Sequence, residues 1–172
     1  MKKLQFVCMA LVAVFAMASC RGPQGPMGPE GPQGNANVAS STVTVNSDDW
    51  EWDNGSWRVD IDYEAISPDI TDYGAVLVYM SDGNAWHQLP LTYYYSFFED
   101  DVEYFVSVSL EVASYDKGVT IFWTENDFYG GNRPECHDFK IVVIAANLYS
   151  ARSDVDYSDY NAVKTAFQLE ER

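Results

Sequence analysis

The sequence predicts an all-β, mainly antiparallel domain: a sandwich-like or curled sheet of about seven or eight strands with one short C-terminal helix. Three observations predict it. Apolar and polar residues alternate through most of the chain after residue 36, which is the period of a strand half-buried in a sheet. Asn-Gly, Asp-Gly and Asp-Lys-Gly steps separate the alternating runs, where tight hairpins need residues that tolerate positive φ. Helical spacing replaces the alternation only near the C-terminus.

Taken in order, "NVASSTVTV" sets Val43 and Val45 on one strand face and Thr42 and Thr44 on the other. In "DDWEWDNGSWRVDIDY" the Asn54-Gly55 step predicts a two-residue type I′ loop. That loop places Asp53 opposite Ser56, Trp52 opposite Trp57, Glu51 opposite Arg58 and Trp50 opposite Val59. Trp50, Trp52, Trp57, Val59, Ile61 and Tyr63 then share a core face, and Glu51 and Arg58 form an opposite-charge pair on the other. Were the register to continue, Asp49 would face Asp60, and opposed carboxylates either part the strands or hold a cation. Parting is the commoner outcome. Calcium on Asp49 and Asp60 is the less favoured one, because the chain has no D-x-[DN]-x-[DN]-G loop.

"GAVLVYMSDGNAWHQLPL" predicts a second hairpin at Asp82-Gly83, its first strand so continuously apolar that both faces are buried. His87 falls on the face of Val76 and Val78, as a core or rim histidine. A third hairpin carries Val106, Val108, Leu110 and Val112 on one side of "DKG" and Val119, Ile121 and Trp123 on the other. The run "LTYYYSFF" alternates as a strand, and core is its default environment; exposed rings there would suit stacking on sugars. "FKIVVIAANLY" predicts a further buried strand. From Ser158, read as the N-cap, Tyr160, Val163, Ala166 and Phe167 recur at helical spacing, giving a helix at about 158–169 with Asp159 in its first turn.

The N-terminal segments are of a different kind. Lys2 and Lys3, an apolar run from Leu4 to Ala18, and Ser19 before Cys20 have the order of a secretory signal at residues 1–19. "MASC" resembles the lipobox of bacterial lipoproteins, which implies cleavage between Ser19 and Cys20, and acyl chains on Cys20 that hold the protein to a membrane. Residues 20–36 then form a stalk: Gly22, Gly25, Gly28, Gly31 and Gly34 recur every third residue with proline after the first four. Four triplets with no proline at the third position are few for a triple helix. As polyproline II, the thirteen residues from Gly22 to Gly34 would span roughly 40 Å. The globular domain occupies residues 37–172.

The composition narrows the function. The formal net charge is −16, and the chain repels phosphate backbones and anionic surfaces, so nucleic acid is not an expected partner. Of the three cysteines only Cys136 lies in the body, which excludes an internal disulfide framework. His87 and His137 are the only histidines, and no G-x-S-x-G, H-E-x-x-H or phosphate-binding glycine loop occurs. No cofactor is implied. "PECHD" brings Cys136, His137 and Asp138 together in sequence, but neighbours on an extended chain point apart, and one cysteine with two histidines cannot build a structural zinc set. Carboxylate-based hydrolysis stands third among the functions open to the chain.

The lipobox, the Gly-Pro-X run, the acidic β-rich body and the tail "DYSDYNAVKTAFQL" resemble small uncharacterised lipoproteins of Bacteroides-type Gram-negative bacteria. The match is strongest over "FKIVVIAANLY" and at Asp156, Tyr157, Asp159, Tyr160, Val163, Ala166 and Phe167. The resemblance implies an outer-membrane lipoprotein of the cell envelope. "CRGPQGP" lacks the acidic run that often follows the cysteine of surface lipoproteins, which favours the periplasmic side. An interaction or structural role, with an envelope protein or glycan as partner, is the first expectation, and a glycan-binding module presenting exposed aromatics is the alternative. The sequence does not favour an oligomer over a monomer.

Overall fold

The computed structural model describes residues 37–99, 101–126 and 133–169. The expectations for the signal, for Ser19 and Cys20, and for the stalk glycines concern residues outside this set. Strands β1 (Val38–Val45), β2 (Glu51–Asp53), β3 (Ser56–Asp62), β4 (Ala75–Ser81), β5 (Trp86–Gln88), β6 (Leu91–Glu99), β7 (Val102–Tyr115), β8 (Gly118–Glu125) and β9 (His137–Ile144) form two sheets. One has the order β1-β9-β4-β5 and the other β2-β3-β8-β7-β6. Every named pair is antiparallel. The architecture is a sandwich, as the alternation and turn chemistry predict.

Its core follows from the pleat. Phe139, Ile141 and Val143 of β9, Val78 and Met80 of β4 and Val45 of β1 meet Val59 and Ile61 of β3, Val108 and Leu110 of β7, and Val119 and Ile121 of β8. Trp50 fills this core, with ring centroids 6.1 Å from Trp123 and 6.2 Å from Phe139 in edge-to-face geometry. Residues of the opposite parity on the first sheet, Leu77, Tyr79, Val142 and Ile144, are buried as well, beneath Tyr160, Val163 and Phe167. These last three belong to the C-terminal helix Tyr160–Phe167. Strand β9 is therefore covered on both faces, which explains why "FKIVVI" is continuously apolar except at Lys140.

Lys140 is 5% exposed. On the helix side of β9, its Nζ donates to the Tyr160 hydroxyl at 3.0 Å and lies 4.8 Å from the ring centroids of both Trp86 and Tyr160. The aromatic faces supply the negative potential that a buried ammonium otherwise takes from a carboxylate. Beside it, the Tyr79 hydroxyl donates to the Tyr157 carbonyl at 2.7 Å, tying the strand to the segment before the helix.

Local chemistry sets the boundaries. Asn54 and Gly55 have φ of 48° and 92°, the positive pair a type I′ loop needs, and Asp53, Trp52 and Glu51 pair with Ser56, Trp57 and Arg58 as predicted. The pairing stops there. Ser47–Asp49 form a 3-10 turn, so Trp50 drops into the core instead of pairing with Val59, and Trp52 remains 41% exposed rather than in the core. Arg58 reaches along its own strand to Asp60 and diagonally across to Asp53, rather than to Glu51 directly opposite.

The C-terminal helix is capped one residue later than predicted: Asp159, not Ser158, accepts from the Asn161 N–H at 2.8 Å. Two short helices are additional, α1 (Pro68–Tyr73) and α2 (Ala146–Ala151), and the C-terminal one is α3. The "ANLY" assigned to a strand lies in α2, where the chain has left the sheet. At the end of α1, a Cβ on Gly74 would come within 2.5 Å of the Ile144 carbonyl oxygen, so only glycine lets the helix end this close to β9.

The cage around Lys140 gives a test by chemical denaturation. Lys140→Ala opens a void and leaves the Tyr160 hydroxyl without its donor, and should lower the unfolding free energy by about 2–4 kcal/mol. Lys140→Met keeps the methylene stem and should cost less than half as much, about 1 kcal/mol. Equal losses for the two variants would show that the ammonium, and not the packing, holds the helix layer.

Candidate functional site

Three places on the molecule gather chemistry-bearing side chains. The first is a cleft of about 650 Å³ lined by Met80, Asp82, His87, Leu91, Tyr93, Cys136, His137 and Asp138. It brings both histidines and the body's one cysteine to the rim of the sandwich. His87 pairs with Met80 and so lies on the predicted face, at the rim, where Nε2 meets Asp82 Oδ2 at 2.9 Å. Asp82 also accepts from the Asn84 and Ala85 N–H groups, and these bonds, that from His87 first, hold its carboxyl down at about 2. Burial pushes the Tyr93 hydroxyl up to about 12.

The "PECHD" residues diverge. Cys136 is exposed in the loop before β9, His137 stacks on Trp123 with centroids 5.1 Å apart, and Asp138 accepts from the Thr44 hydroxyl at 2.6 Å. Among the described residues no hydroxyl or thiol is hydrogen-bonded to either imidazole, and no group of three or more His, Cys, Asp or Glu side chains converges for a metal. What the cleft offers is a mainly apolar hollow with an anionic lip.

The second place is a hollow of about 430 Å³ lined by Asp49, Glu51, Arg58, Asp60 and Asp62 beside Val43 and Val45. It contains both residues of the calcium alternative. Asp60 accepts from Thr120 and from Arg58, and its carboxyl lies below the usual range chiefly through the Thr120 bond. Asp49 accepts from the Asn46 backbone N–H at 2.7 Å and from the Asn46 side chain, closing the 3-10 turn. The strands part between them. Each carboxylate thus already has donors of its own, and the guanidinium sits in the same hollow.

The third place is the β6–β7 hairpin. Strand β8 ends at Glu125, opposite Val108, and Asn126 adds the last bonds to Ser107. Among the described residues, β6 and β7 pair beyond that point only with each other, up to the Glu99 and Val102 pair and a turn in which Asp101 has φ of 61°. One face of this arm continues the sandwich interior with Tyr95, Phe97, Tyr104 and Val102, and the other carries Tyr94, Phe98 and Phe105. All seven are exposed, Tyr94 at 75%, Phe98 at 71% and Phe105 at 69%. Phe97 stacks on Tyr104 at 5.5 Å and 17°, and the Tyr95 hydroxyl donates to Glu125 at 3.3 Å. With about 200 Å² per ring, Tyr94, Phe98 and Phe105 expose roughly 430 Å² on one face, the size of the largest patch on a typical monomer, and Tyr95, Phe97 and Tyr104 roughly 250 Å² on the other.

This corrects the default core environment of "LTYYYSFF": only Tyr93 and Leu91 pack against the interior. A sequence signal for the arm exists. Rings of both parities in one strand mean burial on two faces or on neither, and the adjoining "EDDVE" marks a solvated turn that rules out the first.

The His137 environment has a pH consequence. Burial pushes the ring below its ordinary 6.5, against the weaker pull of Glu135 and Asp138. The unfolded chain therefore binds this proton first, and stability is complete above about pH 6.5 and declines as the pH falls toward the folded value. Melting temperatures measured across that window should fall less steeply for His137→Phe than for the wild type, and parallel profiles would contradict the shift. The chain matches no protein-family model, no curated protein and no solved structure.

Proposed function

We propose that this chain is an acylated cell-envelope lipoprotein whose sandwich is a non-catalytic binding module, with the β6–β7 arm as its binding element. The observation that carries the reading is the arm itself: a two-stranded extension with rings exposed on both faces. Two-stranded ribbons are marginal in water, and exposed rings contribute little to the fold that bears them. A patch of this size beside an acidic tip has the apolar centre and charged rim of an interface. The cleft and the acidic hollow support catalysis less well, because Asp82, Asp138, Asp49 and Asp60 each already accept hydrogen bonds from neighbouring donors.

In this reading Cys20 carries the acyl chains and the Gly-Pro-X run holds the body away from the bilayer. The body's acidity favours the arm meeting a partner rather than an anionic membrane. The outer envelope membrane is the expected location, with the body on its periplasmic side.

Stacking on glycans is the second reading, and the placement of Tyr94, Phe98 and Phe105 on one face favours it. Two of these three are phenylalanines, and Thr92, Ser96 and Ser107 beside them offer only single hydroxyls to sugar, so a protein surface is the better fit.

A photo-crosslinking amino acid at position 98 of the full-length lipoprotein, activated in intact envelopes, should yield a discrete protein adduct. The triple change Tyr94→Ser, Phe98→Ser, Phe105→Ser should cut retention of that partner at least ~10-fold, the loss of two or three interface anchors. Cys20→Ser should move the protein out of the membrane fraction. Glycan-array binding lost in the triple variant would favour the second reading, and the absence of both adduct and glycan binding would overturn the first.

A further inference from the structure

The arm also carries a sheet edge. Among the described residues β6 is the last strand of its sheet, with β7 on one side and no strand on the other. The other sheet edges differ from it. Strands β2 and β5 are three residues long, and β1 presents mostly serine, threonine and small apolar side chains. Natural edges of this length are usually blunted by lysine, proline or a bulge. Strand β6, "LTYYYSFFE", contains no lysine or proline and pairs with β7 without interruption over all nine residues.

We propose that the occupant of this edge is a second copy of the same chain, pairing β6 with β6 in antiparallel fashion and joining the two five-stranded sheets into one. The proposal rests on the reading of the arm as the binding element and names its partner.

The register follows from the hydrogen-bond pattern. In a two-residue hairpin the closing pair, here Glu99 and Val102, exchanges both of its hydrogen bonds, and such pairs recur at alternate positions. The odd-numbered residues of β6 therefore direct their backbone groups at β7, and Thr92, Tyr94, Ser96 and Phe98 direct theirs outward. A two-fold axis at Tyr95 pairs all four of these at once, Tyr94 with Ser96 and Thr92 with Phe98, in both directions. Residues of like parity then meet, so each face of one sheet continues into the same face of the other.

Side chains agree with this register. On one face Tyr93 comes opposite Phe97 and Tyr95 opposite its own copy, aromatic cross-strand pairs of the stabilising kind. The only charge on the strand, Glu99, falls opposite Leu91. The acidic tips at Asp101 and Glu103 lie at opposite ends of the pairing, next to strand ends about 27 Å apart. A chain of charge −16 can meet its copy along this edge because the edge carries its acids at one end only. Parallel pairing would set tip against tip.

The test uses the full-length lipoprotein in envelopes and in mild detergent, with Cys136→Ser to remove the exposed thiol. Tyr95 is a non-hydrogen-bonded self-pair in this register, with Cα atoms about 4.5 Å apart, inside the range a disulfide can bridge. Under mild oxidation Tyr95→Cys should form a disulfide-linked dimer as the main species, whereas Glu111→Cys, exposed on β7, should not. Ser96→Pro, which removes an outward N–H and leaves the β6–β7 ladder intact, should abolish the dimer and return sedimentation to the monomer mass. Cross-linking no stronger at 95 than at 111, with monomer mass at all concentrations, would overturn the proposal. In that event an adduct at position 98 to a chain of different mass leaves the binding module standing with another partner, and the lack of any adduct removes both.

Discussion

The rest of the structure depends on the double burial of β9. One face, with Phe139, Ile141 and Val143, closes the sandwich, and the other, with Val142 and Ile144, supports the C-terminal helix. Its neighbours β1 and β4 are placed by its ladders, from Val38 opposite Ile144 to Met80 opposite Phe139. Even α1 is fitted to it, through the glycine that ends the helix against the Ile144 carbonyl. A strand buried on two faces leaves no room for a charge unless the charge brings its own solvation, and the rings of Trp86 and Tyr160 provide it for Lys140. The helix layer is thus a part of the core.

The arm is the counterpart of that strand. The sandwich covers β6 and β7 only as far as Leu91, Tyr93, Val106 and Val108, and the outer stretch lies beyond the last residue of β8. Rings that would be core residues two pairs earlier become surface there. The same alternation that makes β3 and β8 a core makes the arm sticky on both faces, and the acidic turn keeps its end in water. Stability and binding are in this way assigned to different lengths of the same two strands.

The sequence made local features legible, and the tertiary ones only in part. Asn54-Gly55 dictated a turn type, and with it the three pairs nearest the turn, because both are set by two residues' φ. Trp50 escaped the register because its environment is decided by Trp123 and Phe139, far away in the chain. Ser67-Pro68 before Asp69 and the following glycine carried the signs of a short helix, and α1 could have been read from them. Lys140 went unread within a run that reads as a buried strand, and its cage has no local signal, since Trp86 and Tyr160 come from other elements. For "LTYYYSFF" the periodicity was right and the environment wrong: alternation says which rings share a face, not whether anything lies opposite. Asp49 and Asp60 were correctly seen to be at odds across the hairpin, and the outcome was decided by Asn46, Arg58 and Thr120, which the pairing alone does not include.

Residue-resolved native-state hydrogen exchange tests this division most directly. The account predicts that the β9 amides from Phe139 to Ile144 exchange only through global unfolding, together with their partners in β4. Amides of the arm from Tyr104 to Val106 should exchange through a far smaller opening in the Ser96→Pro protein. Exchange of β9 through a separate, lower-energy opening, or an arm as well protected as β9 in that variant, would contradict it.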